Sequence, residues 1–205
     1  MTDHAGHDVT LIGADYSVYT RICRLALRLK DVPHQFETLD VFAEGGKVQA
    51  QGAGHAFGKI PILKHEDLTL FETLAITRYI DQQFDGPALE PASPVDRARM
   101  NQIISIVDTQ AYPVLVWGLH VPKSEGRDAE DRMLDAGRNV LDALESLVGE
   151  DWLYGPQPTL ADIYLAPCFV YALDSAIGPA VQDHYPALSR WWKHAQHLAQ
   201  TGATE

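Results

Sequence analysis

A serine at position 17 stands in the segment Tyr16-Ser17-Val18-Tyr19-Thr20-Arg21, just ahead of Ile22, Leu25, Ala26 and Leu29. Those four apolar residues recur at i, i+3, i+4 and i+7, which predicts a helix from about Thr20 to Lys30. A hydroxyl at a helix entrance can accept a backbone N–H and cap the helix. It can also present its proton at the positive end of the helix dipole, where an anion is stabilised. Glu72 and Thr73 stand ahead of a second such pattern, Ile76, Ile80 and Phe84. They combine a carboxylate for a cation with a hydroxyl and backbone N–H that suit an anion. Each feature alone also reads as an ordinary helix cap. Lys47 and Lys59 add cations, which singly read as solvated surface charge. Cys23 reads as a packed thiol. His194 and His197, one turn apart, are short of a third metal ligand and read as surface groups, while His4 and His7, able to bind a metal only weakly, belong to residues 1–8, which read as a mobile polar tail. No metal is called for.

These residues need elements to position them. Val9 to Ile12 make a short strand, and Gly13 to Tyr19 a loop. Pro33 ends the first helical region, and His34 to Val41 supply a second strand. Residues 42–56, rich in glycine and alanine, read as a short helix and irregular loop. Ile60 to Leu63 and Leu68 to Phe71 are apolar runs separated by the polar turn Lys64 to Asp67, a hairpin signal. Pro61 is allowed there only at a first strand residue or an edge. A helix from Thr73 completes a β-α-β-α-β-β-α order, the thioredoxin-like arrangement.

Residues 85–93 read as a linker from their proline and glycine content, and no convincing strand follows. Ser93 caps a helix with Pro94 at its first position. Met100, Ile103, Ile104 and Val107 continue it, and Pro113 should kink it. A helix over about 127–148 turns Val140, Leu141, Leu144, Leu147 and Val148 inward. Thr159-Leu160-Ala161-Asp162 reads as a capping box with aspartate in place of glutamate, opening a helix to about Leu173. A last helix follows Pro186 and carries Trp191 and Trp192. The fold class is therefore α/β followed by all-α: domain 1–84, linker 85–93, all-helical domain 94–205.

The 205 residues carry a net charge of −12, which repels phosphate backbones and makes nucleic acid an improbable partner. No apolar run approaches the length of a membrane span, and no signal-peptide pattern opens the chain. Cys23 and Cys168 are far apart with no C-x-x-C motif, so reduced thiols and a cytoplasmic setting are expected.

The order and spacing of the motifs resemble the cytosolic glutathione transferases. Members carry N-P-F-G-x-[VI]-P, then a hairpin, then an E-S pair opening a helix A-I-x-x-Y-[IL]. The matching residues here are His55-Ala56-Phe57-Gly58-Lys59-Ile60-Pro61, Glu72-Thr73, Ala75-Ile76 and Tyr79-Ile80. The helical domain of that family carries [ST]-L-A-D-[IL], matched by Thr159 to Ile163. Ser17 to Arg21 is similar to the S-x-x-T-R loop of serine-type members, especially the plant phi class and its bacterial relatives. The likeness covers nearly the whole chain outside residues 1–8 and is weak between Gly118 and Asp128.

That resemblance implies glutathione as co-substrate, with Ser17 donating a hydrogen bond to its sulfur. Tyr16 is the runner-up for that role, then Tyr19 and Thr20. Lowering a thiol pKa by roughly two units needs about 2.7 kcal/mol. A hydrogen bond to a charged acceptor supplies roughly 1.5–3 kcal/mol and a helix N-terminus about 0.3–1 more. Glu72 would pair with the γ-glutamyl ammonium and Thr73 with its carboxylate. Pro61 resembles the family's cis-proline, which would turn the Ile60 N–H and C=O toward the cysteinyl segment. Lys47, or Lys59 in its stead, would hold the glycyl carboxylate. The family's histidine before the lysine is replaced by Gly46, and its proline by Ala56. Tyr112, Leu115, Trp117 and His120 are candidates for an electrophile pocket in the helical domain. Asp108 is read as an exposed helix charge that could alternatively reach a partner subunit's glutathione.

The implied protein is a glutathione transferase acting on an apolar electrophile or peroxide, as a homodimer. The alternatives are a non-catalytic binder of glutathione or an apolar ligand, and a glutathione-dependent isomerase or reductase. Against the last stands the absence at Ser17 of an S-S-C loop or a loop cysteine. The electrophile itself is not encoded in the periodicity.

Overall fold

The computed structural model describes residues 9–200; His4 and His7 lie outside the described residues. The chain divides into two compact units, the first ending at Ala88 and the second opening at Leu89.

The first unit runs β1 (Val9–Gly13), α1 (Val18–Leu29), β2 (Gln35–Thr38), α2 (Gly46–Ala53), β3 (Ile62–His65), β4 (Leu68–Phe71) and α3 (Thr73–Gln83). The sheet order is β2-β1-β3-β4. β1 pairs parallel to β2 and antiparallel to β3, and β4 closes a hairpin on β3. This is the thioredoxin-like order. Central β1 and β3 are mostly buried, while edge strand β2 is mostly exposed. α1 packs on α3 and β1, closing a core around Leu11, Ile22, Leu25, Ile62, Leu63, Ile76 and Ile80. The hairpin differs in detail from expectation. β3 opens at Ile62, after the proline that has no N–H to give the ladder. His65 pairs with Leu68, so the turn shrinks to Glu66-Asp67, with Glu66 at φ 52°, as a two-residue hairpin requires.

The second unit is helical: α4 (Pro94–Ile106), a π-helix (Val107–His120), α5 (Val121–Ser124), α6 (Asp131–Glu145), α7 (Leu160–Leu173), α8 (Gly178–His184) and α9 (Pro186–Gln200). Short α5 and α8 have no periodicity long enough to be read from sequence. Where a kink was expected at Pro113, the chain instead widens into fourteen residues of π-helix. A proline interior to an α-helix removes one N–H and clashes with the carbonyl four residues back; the wider turn relocates that carbonyl. α6 ends at Glu145, so Leu147 and Val148, expected inward on it, lie beyond its end and are half-buried. α7 is the core helix, buried from Leu160 to Phe169. Asp162 anchors it. One carboxylate oxygen accepts Leu153 N–H and Trp191 Nε1–H, both at 2.9 Å, and the other accepts Thr159 N–H at 2.8 Å and Oγ1–H at 3.0 Å. Burial pushes this carboxyl up, and the donors oppose the rise. Among the described residues no single helix is long and apolar enough to cross a membrane.

Candidate active site

Strand register decides which residues meet. Gly13 pairs with Thr38, Ile12 with Ile62, and Ile62 with Phe71. The chain therefore leaves β1 and β2, enters β3 and leaves β4 at one end of the sheet. That end collects the Ser17 loop, Asp40, the Ile60–Pro61 segment and the Glu72–Thr73 start of α3.

Ser17 N-caps α1: its Oγ accepts Thr20 N–H at 3.2 Å, and its own N–H reaches Ala14 O at 3.0 Å. A serine hydroxyl has one proton and two lone pairs, so the cap leaves the proton available. No acidic side chain stands in the first turn of α1, and its dipole is left to act on whatever anion approaches. Asp15 is turned to Arg24, at 2.6 Å. Tyr16 is occupied differently, with its hydroxyl donating to Asp40 Oδ1 at 2.6 Å. Thr20 is fully buried against Gly13. Cys23 is buried, which pushes its thiol strongly up.

Glu72 holds φ 71°, ψ 115° immediately before α3 and makes no side-chain capping bond. A non-glycine residue there is uncommon, and such outliers cluster at ligand sites. Thr73 is buried at the first helical position. Beside them lies His55, which stands where the family motif has asparagine. Its ring is buried against Phe71, at 4.7 Å between centroids, and Nδ1 accepts Phe57 N–H at 3.3 Å, so the ring proton sits on Nε2. Burial lowers its pKa, and the nearby Glu72 charge partly opposes that. His55 ties the segment before Pro61 to the end of β4. A histidine in a motif position carries no sequence signal for that role.

The Ile60–Pro61 peptide is cis, and Ile60 is half-buried. Lys47 and Lys59 are exposed. Gly46 is buried at the start of α2, and a Cβ there would lie 2.0 Å from Asp40 O. The missing histidine is thus sterically excluded, because the turn at Asp40–Val41 folds directly over position 46. Gly58, at φ 62°, packs on the Lys47 backbone, where a Cβ would meet Lys47 O at 2.8 Å. The first turn of α2, with Lys47 in it, is gripped between these two backbone contacts.

In the helical unit, the i→i+5 period of the π-helix brings Tyr112 to Trp117, whose indole N–H bonds the phenol. Burial raises the Tyr112 phenol. His120 packs against Tyr171 with the rings tilted by 58°, at 4.6 Å between centroids, and its Nδ1 lies 3.3 Å from Asp174 O. Tyr171, from α7, was not singled out in the sequence, since it sits inside a uniformly apolar run. Leu115 is fully buried toward Gly137 of α6; it belongs to the core of this unit and not to a pocket surface. Trp117 is 47% exposed. Asp108, read as an exposed charge, is half-buried, and its charge adds to the burial that pushes Cys168 up to about 12. His194 is exposed, with its ring 6.2 Å from Trp152. Among the described residues no cluster of histidine, cysteine, aspartate and glutamate is arranged to hold a metal ion.

Two family models match the chain: the glutathione S-transferase N-terminal domain over residues 11–88 and the C-terminal domain over 115–198. A maleylacetoacetate isomerase of Pseudomonas aeruginosa is 31% identical over 175 residues, 82% of this chain and 81% of that protein. Glutathione S-transferase U2 of Arabidopsis thaliana is 28% identical over 196 residues, 93% of this chain and 84% of the relative. Among solved structures, glutathione transferase F2 from Populus trichocarpa superposes with a TM-score of 0.79 at 22% identity, covering 95% of this chain and 96% of the other.

Proposed function

The chain belongs to the glutathione S-transferase family of enzymes, and from that premise we propose that it activates the glutathione thiol through Ser17 for attack on an apolar electrophile or peroxide. The observation that carries this is the convergence, by strand register, of Ser17, Ile60, Glu72 and Thr73 at one end of the sheet. Glu72 pairs with the γ-glutamyl ammonium. The Thr73 hydroxyl and the first N–H groups of α3, which have no side-chain cap, receive the γ-glutamyl carboxylate. Ile60 meets the cysteinyl backbone as an added strand would. Lys47 takes the glycyl carboxylate, with Lys59 as the second cation. Ser17 then donates to the sulfur while remaining the cap of α1. Contacts to the electrophile are assigned to Tyr112, Trp117, His120 and Tyr171 of the helical unit. The assembly is proposed to be a homodimer, checked by sedimentation, and the setting cytoplasmic.

Calorimetric titration of glutathione near pH 7 tests the reading. Saturable binding of one per chain supports it, and a folded protein that gives no heat at two temperatures overturns it. A non-catalytic binder of the same fold would bind equally well but show no conjugation that depends on Ser17. The relative named maleylacetoacetate isomerase favours a second reading, glutathione-dependent isomerisation at the same site. Turnover of maleylacetoacetate with catalytic glutathione, set beside consumption of glutathione by an aryl halide, separates isomerase from conjugating enzyme.

A further inference from the structure

Tyr16 precedes Ser17 in the chain, yet its hydroxyl is turned away to β2's exit. It donates to Asp40 Oδ1 at 2.6 Å, and the same oxygen accepts Phe42 N–H at 2.8 Å. The Tyr16 ring lies 5.7 Å from that of Phe42. Both rings are on the surface, 42% and 65% exposed, so their pairing adds little to the core. Asp40 is also the hub of the following turn. Its carbonyl accepts Ala43 N–H at 3.3 Å, and Ala43 O in turn accepts Gly46 N–H at 3.0 Å. Gly46 lies flat against that carbonyl, as its missing Cβ requires. Lys47 is the next residue. Direct contacts therefore run from Ser17 through Tyr16, Asp40 and Gly46 to Lys47.

We propose that the Tyr16–Asp40 hydrogen bond is a brace that sets the start of α2 against the Ser17 loop, making Tyr16 a positioning residue for the glycyl end of the thiol co-substrate. Asp40, exposed and ionised, is a charged acceptor, and its bond from Tyr16 is of the stronger, charge-assisted kind. The phenol proton is directed at Asp40 and not at the sulfur. Tyr16 thus acts through the placement of Lys47. Position 46 can present no side chain to the glycyl end, because a Cβ there would strike Asp40 O, and the turn itself is held instead. The functional half of this inference rests on the roles proposed above for Ser17 and Lys47.

Tyr16→Phe keeps the ring on Phe42 and removes the hydroxyl. The first readout is hydrogen exchange in the unliganded protein, which does not depend on any activity. The amides of Phe42, Ala43 and Gly46 should exchange faster in Tyr16→Phe and in Asp40→Ala, with those of α3 unchanged. The second is steady-state kinetics. KM for glutathione should rise roughly three- to tenfold, because a solvent-exposed bond is worth less than a buried charge-assisted one, with kcat and the pH inflection of the thiol unmoved. Asp40→Asn, which keeps an acceptor oxygen but loses its charge, should fall between wild type and Asp40→Ala in both, and an Asp40→Asn no better than Asp40→Ala overturns the acceptor role given to that oxygen. Unchanged exchange in Tyr16→Phe overturns the brace. A loss confined to kcat, or a shifted thiol inflection, overturns it in favour of Tyr16 as the thiolate's own partner. Faster exchange with an unmoved KM overturns the link to the co-substrate. If wild type binds no glutathione at all, the reading of the site falls while the exchange experiment still decides the brace.

Discussion

Replacing Ser17 separates two roles of one oxygen. As a cap it accepts Thr20 N–H at 3.2 Å, and as the proposed donor it meets the thiolate. Ser17→Ala removes both. Ser17→Gly removes the hydroxyl too, but an N-cap glycine costs only a few tenths of a kcal/mol, against about 1 for alanine. The two variants should therefore differ in stability by roughly 0.5–1 kcal/mol and behave alike in chemistry. A hydrogen bond to a charged acceptor contributes about 1.5–3 kcal/mol. At 1.36 kcal/mol per unit, its loss raises the pKa of the bound thiol by about one to two units. A thiol held near about 6.5 is roughly three-quarters ionised at neutral pH, and one near about 8 only about a tenth. Conjugation near neutrality should thus fall roughly three- to twenty-fivefold in both variants, while glutathione affinity, assigned above to Glu72, Thr73 and Lys47, changes little.

The sign with pH is distinctive. Wild type gains little above neutrality because its thiol is already ionised. The variants keep gaining until they pass their own raised pKa, so the deficit narrows to about twofold or less beyond about pH 9. The assay is the ultraviolet absorbance of the bound thiolate titrated against pH, with rates measured in parallel and urea midpoints for stability. A thiolate titration of Ser17→Gly that superimposes on wild type refutes the donor role, whatever happens to the rate.

Three further outcomes are expected. Glu72→Gly relieves a backbone conformation that costs a non-glycine residue about 1–3 kcal/mol, so its urea midpoint should hold or rise while calorimetry shows glutathione binding lost. Asp162→Ala orphans four buried donors at about 1–3 kcal/mol each; unfolding free energy should fall by about 4 kcal/mol or more, with Asp162→Asn between it and wild type. Cys168, pushed up to about 12, and Cys23, raised further by burial, should resist a thiol-alkylating reagent in mild base until denaturant is added, so that labelling of either in native protein would contradict their burial.

The first unit was readable because its strands and helices are separated by breakers and each has a clean period. Strand register was not read from the sequence; in the structure it buries Ile62 and Leu63 on opposite faces of the sheet. The glutathione-site candidates were readable as motif positions, but the reasons they hold their places were not. Gly46 read as a lost side chain, and only the backbone of Asp40 lying on it shows that no side chain fits. The positive φ of Glu72 leaves no trace in composition, since glutamate is a poor choice for such a backbone. Around Pro113 in the second unit the misreadings share one cause. Spacing was judged at the α-helical period, whereas the segment around Pro113 turns in i→i+5 steps. That change pairs Tyr112 with Trp117 and sends Leu115 into the core, so a residue list drawn at the shorter period mixes two faces.

The same physics removes the apparent choice between cap and catalyst at Ser17. A cap uses an acceptor lone pair, and a thiolate needs a donor proton; the hydroxyl has both. The cap also fixes the oxygen in space, since Oγ must stay within reach of Thr20 N–H, and that pre-orients the remaining proton at the positive end of α1. A tyrosine one residue earlier has a longer reach but no such anchor, and here its phenol is directed at Asp40. The structural role of Ser17 is therefore the means by which a chemical role becomes possible, and losing the cap alone should loosen the donor geometry even where a hydroxyl is kept. Ser17→Thr tests that step: threonine caps less well than serine and its β-branch restricts χ1, so a bound-thiol pKa between those of wild type and Ser17→Gly is the expected result, and one equal to Ser17→Gly would mean that the hydroxyl must be placed, and not merely present.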